Sequence, residues 1–178
     1  MFDPTIFDNL KVVLEGCLYD QDADGEAAVT RREDLLDLAG MGRTFRMEMR
    51  LPDSPVSAVI QLSAALPDFA AELRGIRLAG MKPGAALEIA YRMPESPADA
   101  RTDAASELLA KLWGDEDAEL LQERTQRSSG GSETSRTFRF IVRFRQKMDE
   151  SHLEELGPLA EHLIASLKAV EEVWHSPK

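Results

Sequence analysis

The segment TFRMEMRL, residues 44–51, alternates apolar and polar side chains without interruption. In an extended chain, successive side chains point to opposite faces, so Phe45, Met47, Met49 and Leu51 share one face. The other face carries threonine, arginine and glutamate. Strict alternation of this kind is typical of a strand in an antiparallel sheet, with one face packed and the other in water.

Two further segments, residues 56–63 and 86–93, repeat this alternation. The first of them follows residues 44–51 after the short sequence Pro52-Asp53-Ser54-Pro55. Because proline, aspartate and serine favour tight turns, we expect the first two strands to pair as a hairpin. The sequence therefore predicts an antiparallel sheet built from neighbouring segments.

Residues 115–147 predict a second hairpin, with a Ser- and Gly-rich loop at 127–132. If residues equally distant from Gly131 pair, four opposite-charge pairs fall on one face: Asp115–Lys147, Asp117–Arg145, Glu119–Arg143 and Glu123–Arg139. The opposite face then carries Phe138, Phe140, Val142 and Phe144, which we expect in the core. A slip of one residue would bury the charges and expose the aromatic rings, which favours this register. A bulge near the loop, which would shift the pairing by one residue, stays open as an alternative.

The strongest helical pattern lies at the C-terminal end, where apolar residues recur at steps of three and four. They are Leu153, Leu156, Ala160, Leu163, Leu167, Val170 and Trp174. Ser151 and Glu154 have capping-box spacing. Pro158 predicts either a kink or a helix that starts there after a short lead-in turn.

Two shorter helices are predicted, at Asp68–Arg74 and at Ser96–Trp113. The second has Ser96-Pro97 as its N-terminal signal and Gly114 as its stop. Its apolar stripe is predicted to be Ala100, Ala104, Leu108 and Leu112.

The N-terminal part is read as β structure. Residues 9–20 are rich in aliphatic and β-branched side chains and predict a strand that carries Cys17. A turn at Asp22–Gly25 would return the chain to a short strand at 27–30. Residues 31–39 suit one or two helical turns, which Gly40-Met41-Gly42 ends.

These elements predict a single α+β domain over residues 1–178, a twisted antiparallel sheet of about six strands with a long C-terminal helix packed on one face. In topology, this order resembles helix-grip proteins of the START or Bet v 1 type, in which a curved sheet wraps a long C-terminal helix. The resemblance implies a ligand cavity between sheet and helix. No motif of those families is present, so no family residue is carried over.

Composition narrows the function classes. The net charge of -11 opposes binding to phosphate backbones, so we expect no nucleic-acid partner. The N-terminus has no secretory-signal pattern, and no apolar run is long enough to span a membrane. The single cysteine cannot form an internal disulfide. These features predict a soluble, cytoplasmic protein in a reducing compartment.

Two groups of side chains are candidates for ion binding or surface roles. Asp20, Asp22 and Asp24, followed by Gly25, resemble the first half of an EF-hand calcium loop, but Arg31 occupies the position of the final glutamate. A weak calcium site and a plain acidic turn both remain open. His152, His162 and His175 have no zinc-binding spacing and are expected on the surface.

No serine nucleophile elbow, phosphate-binding loop or cofactor motif occurs, so no cofactor is expected and a non-enzymatic role is favoured. The favoured hypothesis is a homodimeric interaction or assembly module, with a basic face at Arg139, Arg143 and Arg145 for an acidic partner. The alternative is a small-molecule or lipid carrier whose helix-grip-like cavity is lined by Phe45, Met47, Leu87, Ile89, Phe140, Phe144, Leu163 and Leu167. An enzyme with dispersed catalytic residues also stays open.

Overall fold

The computed structural model describes residues 5–74, 83–94, 101–114, 116–128 and 134–175. Its helices are α1 (Thr5–Ala23), α2 (Leu66–Arg74), α3 (Arg101–Trp113) and α4 (Leu156–His175), and a 3₁₀ turn at Glu150–Glu155 leads into α4. Its strands are β1 (Ala28–Asp37), β2 (Gly42–Arg50), β3 (Ser57–Ala64), β4 (Ala86–Pro94), β5 (Ala118–Ser128) and β6 (Thr134–Phe144). They form one antiparallel sheet in the order β1-β2-β3-β4-β6-β5. The predicted α+β fold is confirmed.

One face of the sheet is packed. The apolar sides of β2, β3, β4 and β6 are buried together with the apolar ridge of α4 in a single core. Helix α4 lies between α1 and α3 and contacts both. The C-terminal helix therefore closes the sheet of its own chain, as the sequence predicts. None of the helices among the described residues is long and apolar enough to cross a membrane.

Both predicted hairpins form. In the first, β2 and β3 pair across the turn at residues 52–55. In the second, Glu119 lies opposite Arg143 and Glu123 opposite Arg139, in the predicted register. Phe138 and Phe140 point into the core. Asp115 and the loop residues 129–133 lie outside the described residues.

The predicted strand at residues 9–20 is wrong, because this segment lies within α1. Phe7, Leu10, Leu14 and Leu18 recur at helical spacing, and all four are buried. The β-branched Val12 is exposed on the opposite side. Packing of an apolar stripe outweighs the weak strand preference of such residues. The predicted hairpin with residues 27–30 is therefore also absent, and Cys17 lies half-buried on a helix.

The predicted helical turns at residues 31–39 are wrong as well. Residues up to Asp37 belong to β1, which pairs with β2 from Ala28 to Asp37 with one irregularity between Val29 and Arg31. The leucines that suggested a helix do not pack into the core and instead remain exposed. Hydrogen bonding to the neighbouring strand, which one sequence segment cannot reveal, decides this conformation.

Helix α3 buries a different stripe from the predicted one. Ala105, Leu109 and Trp113 are buried, while Ala104 is exposed. The predicted face was therefore one residue out of phase. The predicted start at Ser96 and the stripe residue Ala100 lie outside the described residues.

Helix α4 begins at Leu156, after the 3₁₀ turn, so the lead-in alternative is correct. Pro158 then lies in the first helical turn, where backbone N–H groups have no intrahelical acceptor. The N–H group that proline lacks therefore costs little stability there. The N-terminal cap differs from the prediction. Asp149 caps the turn and pairs reciprocally with His152, in place of Ser151 with Glu154.

A buried chain of hydrogen bonds joins α3, β4 and α4. Trp113 Nε1 donates to the hydroxyl oxygen of Tyr91 at 2.9 Å. The Tyr91 hydroxyl also bonds Ser166 Oγ, which donates to the Leu163 carbonyl at 2.9 Å. Burial raises the pKa of Tyr91, so the phenol stays protonated and donates to Ser166. Every side-chain polar atom in this series of hydrogen bonds has a partner.

Candidate functional site

A cluster of large apolar side chains is exposed where β1 turns into β2. Its members, here called the leucine patch, are Leu35 (47% exposed), Leu36 (62%), Leu38 (81%) and Met41 (37%). Leu35 and Leu36 are adjacent on a strand and point to opposite faces. Leu38 and Met41 belong to the turn. The patch therefore wraps around the end of the hairpin.

The turn that carries the leucine patch is held by specific hydrogen bonds. Asp37 Oδ1 accepts from the backbone N–H groups of Ala39 and Gly40, both at 3.0 Å. Met41 adopts a left-handed conformation with φ of 50°, which completes the reversal. Exposure of the patch is therefore a property of an ordered turn.

The rest of the β1 edge is polar. Among the described residues, β1 is an end strand and pairs only with β2. Its side chains Arg32 and Asp34 point toward the helix layer, because they lie opposite Met47 and Phe45. Charges that point inward from an edge strand oppose pairing with a further strand. The edge thus offers apolar surface mainly at the leucine patch.

These inward charges are matched by α1 and β2. Arg32 pairs with Glu15, and Asp34 Oδ2 accepts from Lys11 Nζ at 2.9 Å. Arg43 donates to Asp34 at 3.0 Å and to Asp8 at 2.8 Å. The hydrogen bonds from Arg43, together with those from Lys11, lower the pKa of Asp34 to about 2. An ion-pair network therefore fastens α1 over the edge strand.

A second candidate is an open cleft at the β4–β6 part of the sheet, here called the end cleft. Its volume is about 400 Å³, within the range of ligand sites. It lies between the ends of β4 and β6, the 3₁₀ turn and the first turn of α4. Its lining residues are Leu87, Asp117, Phe144, Gln146, Lys147, Met148, His152, Glu155, Pro158 and Leu159.

A neighbouring depression of about 360 Å³ shares Asp117 and Phe144 with the end cleft. It extends toward Leu112 and Trp113 of α3. The rings of Trp113 and Phe144 meet edge to face, with centroids 6.1 Å apart. Apolar surface therefore continues from α4 to α3 around the half-buried ring of Phe144.

The polar groups of the end cleft differ in how they are paired. Lys147 Nζ bonds Asp68 of α2. His152 Nδ1 contacts Asp149 Oδ1 at 3.0 Å within the cap. Asp117 Oδ1 accepts from the neutral amide of Gln146 at 3.2 Å. The carboxylate of Glu155 has no hydrogen bond or ion pair with any described residue.

Hydrogen bonds from Ser151, together with the contact to His152, lower the pKa of Asp149. The capping carboxylate is therefore charged at neutral pH. It lies beside the imidazole of His152, whose Nδ1 accepts from the Asp149 backbone N–H at 3.1 Å.

The predicted cavity residues occupy two kinds of position. Phe45, Met47, Ile89, Phe140, Leu163 and Leu167 are buried within the hydrophobic core. Leu87 and Phe144 line the end cleft, where Phe144 is half-buried. The sequence analysis missed Met148, Pro158 and Leu159, which complete its apolar wall. Apolar residues just outside a predicted strand and helix are the signal that could have found them.

The predicted basic face lies on the side of the sheet away from the helices. Arg139 donates to Glu123 at 2.6 Å. Arg143 pairs with Glu88 at 3.1 Å and with Glu119 at 3.7 Å. Arg145 follows the end of β6, where its backbone N–H donates to the Asp117 carbonyl. Two of the three predicted arginines are thus already held by acids of the same face.

The three aspartates predicted as a calcium site lie at the end of α1 and in the turn after it. Asp22 Oδ2 accepts from the Val29 backbone N–H at 3.3 Å, and Gly25 takes the left-handed conformation of the turn. Over the described ranges, no group of three or more His, Cys, Asp or Glu side chains is arranged to hold a metal ion.

The histidines do not share one environment. His162 lies with its ring edge against Trp113, centroids 4.4 Å apart, and its Nε2 is 3.2 Å from the Leu112 carbonyl. The expectation of a plain surface residue is therefore wrong for His162. His175 is exposed beside Glu171.

Comparison with known proteins gives no relative. The chain matches no protein-family model, no curated protein and no solved structure.

Proposed function

We propose that this protein is a non-enzymatic interaction module that works as a homodimer, with the leucine patch as the contact between copies. The observation that carries the proposal is the concentration of four exposed, large apolar side chains on one ordered hairpin. Single exposed leucines are common on monomers, but four large apolar side chains exposed within seven residues of one hairpin favour an interaction surface.

A second copy is the simplest occupant of the leucine patch. A two-fold contact would bring the same patch of both copies together, and apolar side chains need no opposite charge to pack against each other. Full burial of one leucine side chain is worth about 1.5–3 kcal/mol, so burying several in each copy can offset the cost of association. The charged residues Arg32 and Asp34 direct this contact to the hairpin end and away from the rest of the β1 edge.

The opposite face of the sheet supports a docking role less well. An acidic partner there would have to displace Glu123 from Arg139 and Glu88 from Arg143. Such an exchange replaces existing ion pairs with equivalent ones and yields little net free energy. We therefore do not place the partner surface on that face.

The test is the oligomeric state as a function of concentration, measured by sedimentation equilibrium. The double variant Leu36→Ser, Leu38→Ser should raise the dimer dissociation constant by at least about tenfold, a loss of about 1.4 kcal/mol. Leu73→Ser is the matched control, because Leu73 is 69% exposed on α2, outside the patch. Wild-type protein that stays monomeric near 1 mM would refute the proposal, because a dimer with a dissociation constant above about 1 mM is too weak to be useful.

A further inference from the structure

We infer that the end cleft binds a small amphipathic cation, an amine carried on an aromatic or branched apolar body. The inference concerns a different surface from the leucine patch and does not depend on dimer formation. Three features support it, namely the apolar wall, the acids at the rim without a cationic partner among the described residues, and the half-buried aromatic ring of Phe144.

The apolar wall sets the character of the ligand's body. Leu87, Phe144 with Met148, and Leu159 approach from three separate segments, and Pro158 adds a rigid surface at the start of α4. A concave site of this size, mostly apolar with a few polar groups, is the usual form of a small-molecule site. Met148 supplies an adaptable side chain that can follow ligands of slightly different shape.

The rim charges set the polarity of the ligand. Both basic side chains of the lining already face an acid, since Lys147 pairs with Asp68 and His152 contacts Asp149. The acids Asp117 and Glu155 have no cationic partner among the described residues. Among the described residues, the lining therefore keeps a net negative charge that a ligand cation can neutralise, and the overall charge of -11 adds to the attraction.

The ring of Phe144 also favours a cationic ligand. It is half-buried and lines both the end cleft and the adjoining depression. The face of an aromatic ring attracts cations, by about 0.5–1 kcal/mol at exposed sites. An ammonium group placed between this ring and the rim acids would be favoured by both, whereas a carboxylate would be repelled.

The direct test compares 4-phenylbutylamine with 4-phenylbutyrate, which share an apolar body and differ in charge. Binding is followed by backbone amide chemical shifts in the full-length protein near neutral pH. The amine should bind at least about fivefold more tightly than the acid, the ratio that about 1 kcal/mol produces. The shifted amides should belong to residues 144–148 and 152–159.

Charge-removing variants test whether the two rim acids, and not a neighbouring acid, favour binding of the amine. Glu155→Gln and Asp117→Asn should each weaken amine binding by about two- to fivefold, as expected for exposed charges. Glu154→Gln is the matched control, because Glu154 is equally exposed in the same 3₁₀ turn but does not line the end cleft. Unchanged urea midpoints will show that the variants fold normally.

Several outcomes would overturn the inference. The first is the absence of chemical-shift changes with the amine at about 10 mM, because a dissociation constant above that value is too weak for a specific site of this size. The second is equal or tighter binding of the acid. The third is a set of shift changes centred on the leucine patch. Repeating the titration with the Leu36→Ser, Leu38→Ser variant keeps the result independent of dimerisation. Amine binding retained there would support the end cleft even if the homodimer proposal fails.

Discussion

Among the described residues, Tyr91 is the largest fully buried side chain. Its hydroxyl accepts from Trp113 and bonds Ser166, so one buried atom links α3, β4 and α4. Replacing Tyr91 with phenylalanine keeps the ring but leaves the Trp113 N–H without its acceptor. We expect Tyr91→Phe to lower the free energy of unfolding by about 1–3 kcal/mol in urea titrations.

Tyr19→Phe is the control for that experiment, because Tyr19 is 42% exposed and makes no such buried contact. Its effect should stay within about 0.5 kcal/mol. Similar losses in both variants would show that the Tyr91 hydroxyl is not the anchor described above.

Asp34 gives the edge strand a defined dependence on pH. Hydrogen bonds from Arg43 and Lys11 lower its pKa from 3.8 to about 2 in the folded protein. A lowered folded-state pKa means that the stabilisation is complete above the unfolded value and is lost as the pH falls toward 2. Because the group is partly exposed, we expect a contribution on the order of 1 kcal/mol.

The test is the difference in unfolding free energy between wild type and Asp34→Asn. It should be largest near neutral pH and shrink as the pH falls from 3.8 toward about 2. Asp24→Asn, at an exposed turn position outside this network, is the control and should change the free energy of unfolding by no more than about 0.5 kcal/mol. A difference that does not change with pH would mean that the ion pairs to Asp34 do not stabilise the fold.

Secondary-structure elements differ in how well the sequence predicts them, and the reason is local. Strands β2, β3 and β4 follow the apolar alternation of the sequence, and the β5–β6 hairpin has the register that charge pairing predicts, so both were predicted. Helix α1 was missed because Val12, Val13 and neighbouring aliphatic residues resemble a strand. The buried stripe of Leu10, Leu14 and Leu18 identifies the helix only when positions three and four apart are weighed above composition.

Two glycines test the helical assignment of α1. Gly16 lies in the middle of α1, and a Cβ there would meet nothing within 4 Å. Gly16→Ala should therefore stabilise the protein by about 0.5–1 kcal/mol, as expected for a helix interior. Gly25→Ala should destabilise it, because Gly25 has φ of +75°. Thermal unfolding measures both, and a destabilising Gly16→Ala would contradict the helix.

The β5–β6 hairpin permits a quantitative test of its charge pairing. Glu123→Arg places a like charge opposite Arg139 and should cost about 0.5–1 kcal/mol. Adding Arg139→Glu restores an opposite-charge pair and should recover most of that loss. A double-mutant cycle in urea isolates the pair energy. No recovery in the double variant would show that the register depends on the aromatic face alone.

At the scale of the whole molecule, the candidate sites were harder to predict from the sequence than the fold. The proposed cavity residues are mostly core, since alternation shows that a side chain is buried but not whether space remains beside it. The sequence analysis did not identify the leucine patch, because leucines in a sequence are normally assigned to a core. The end cleft depends on Met148 and Leu159, which come together only once the 3₁₀ turn positions α4 against β6.

Overall charge supplies a final test, because it separates an apolar dimer contact from an electrostatic one. Each copy carries -11, so two copies repel each other at long range. Contact through the leucine patch gains nothing from opposite charges, and salt only screens the repulsion. Raising NaCl from about 50 mM to about 500 mM should therefore tighten the dimer, by about threefold or more in sedimentation equilibrium. If salt instead loosens the dimer, the copies associate through opposite charges, and the basic face around Arg139 and Arg143 becomes the contact to test.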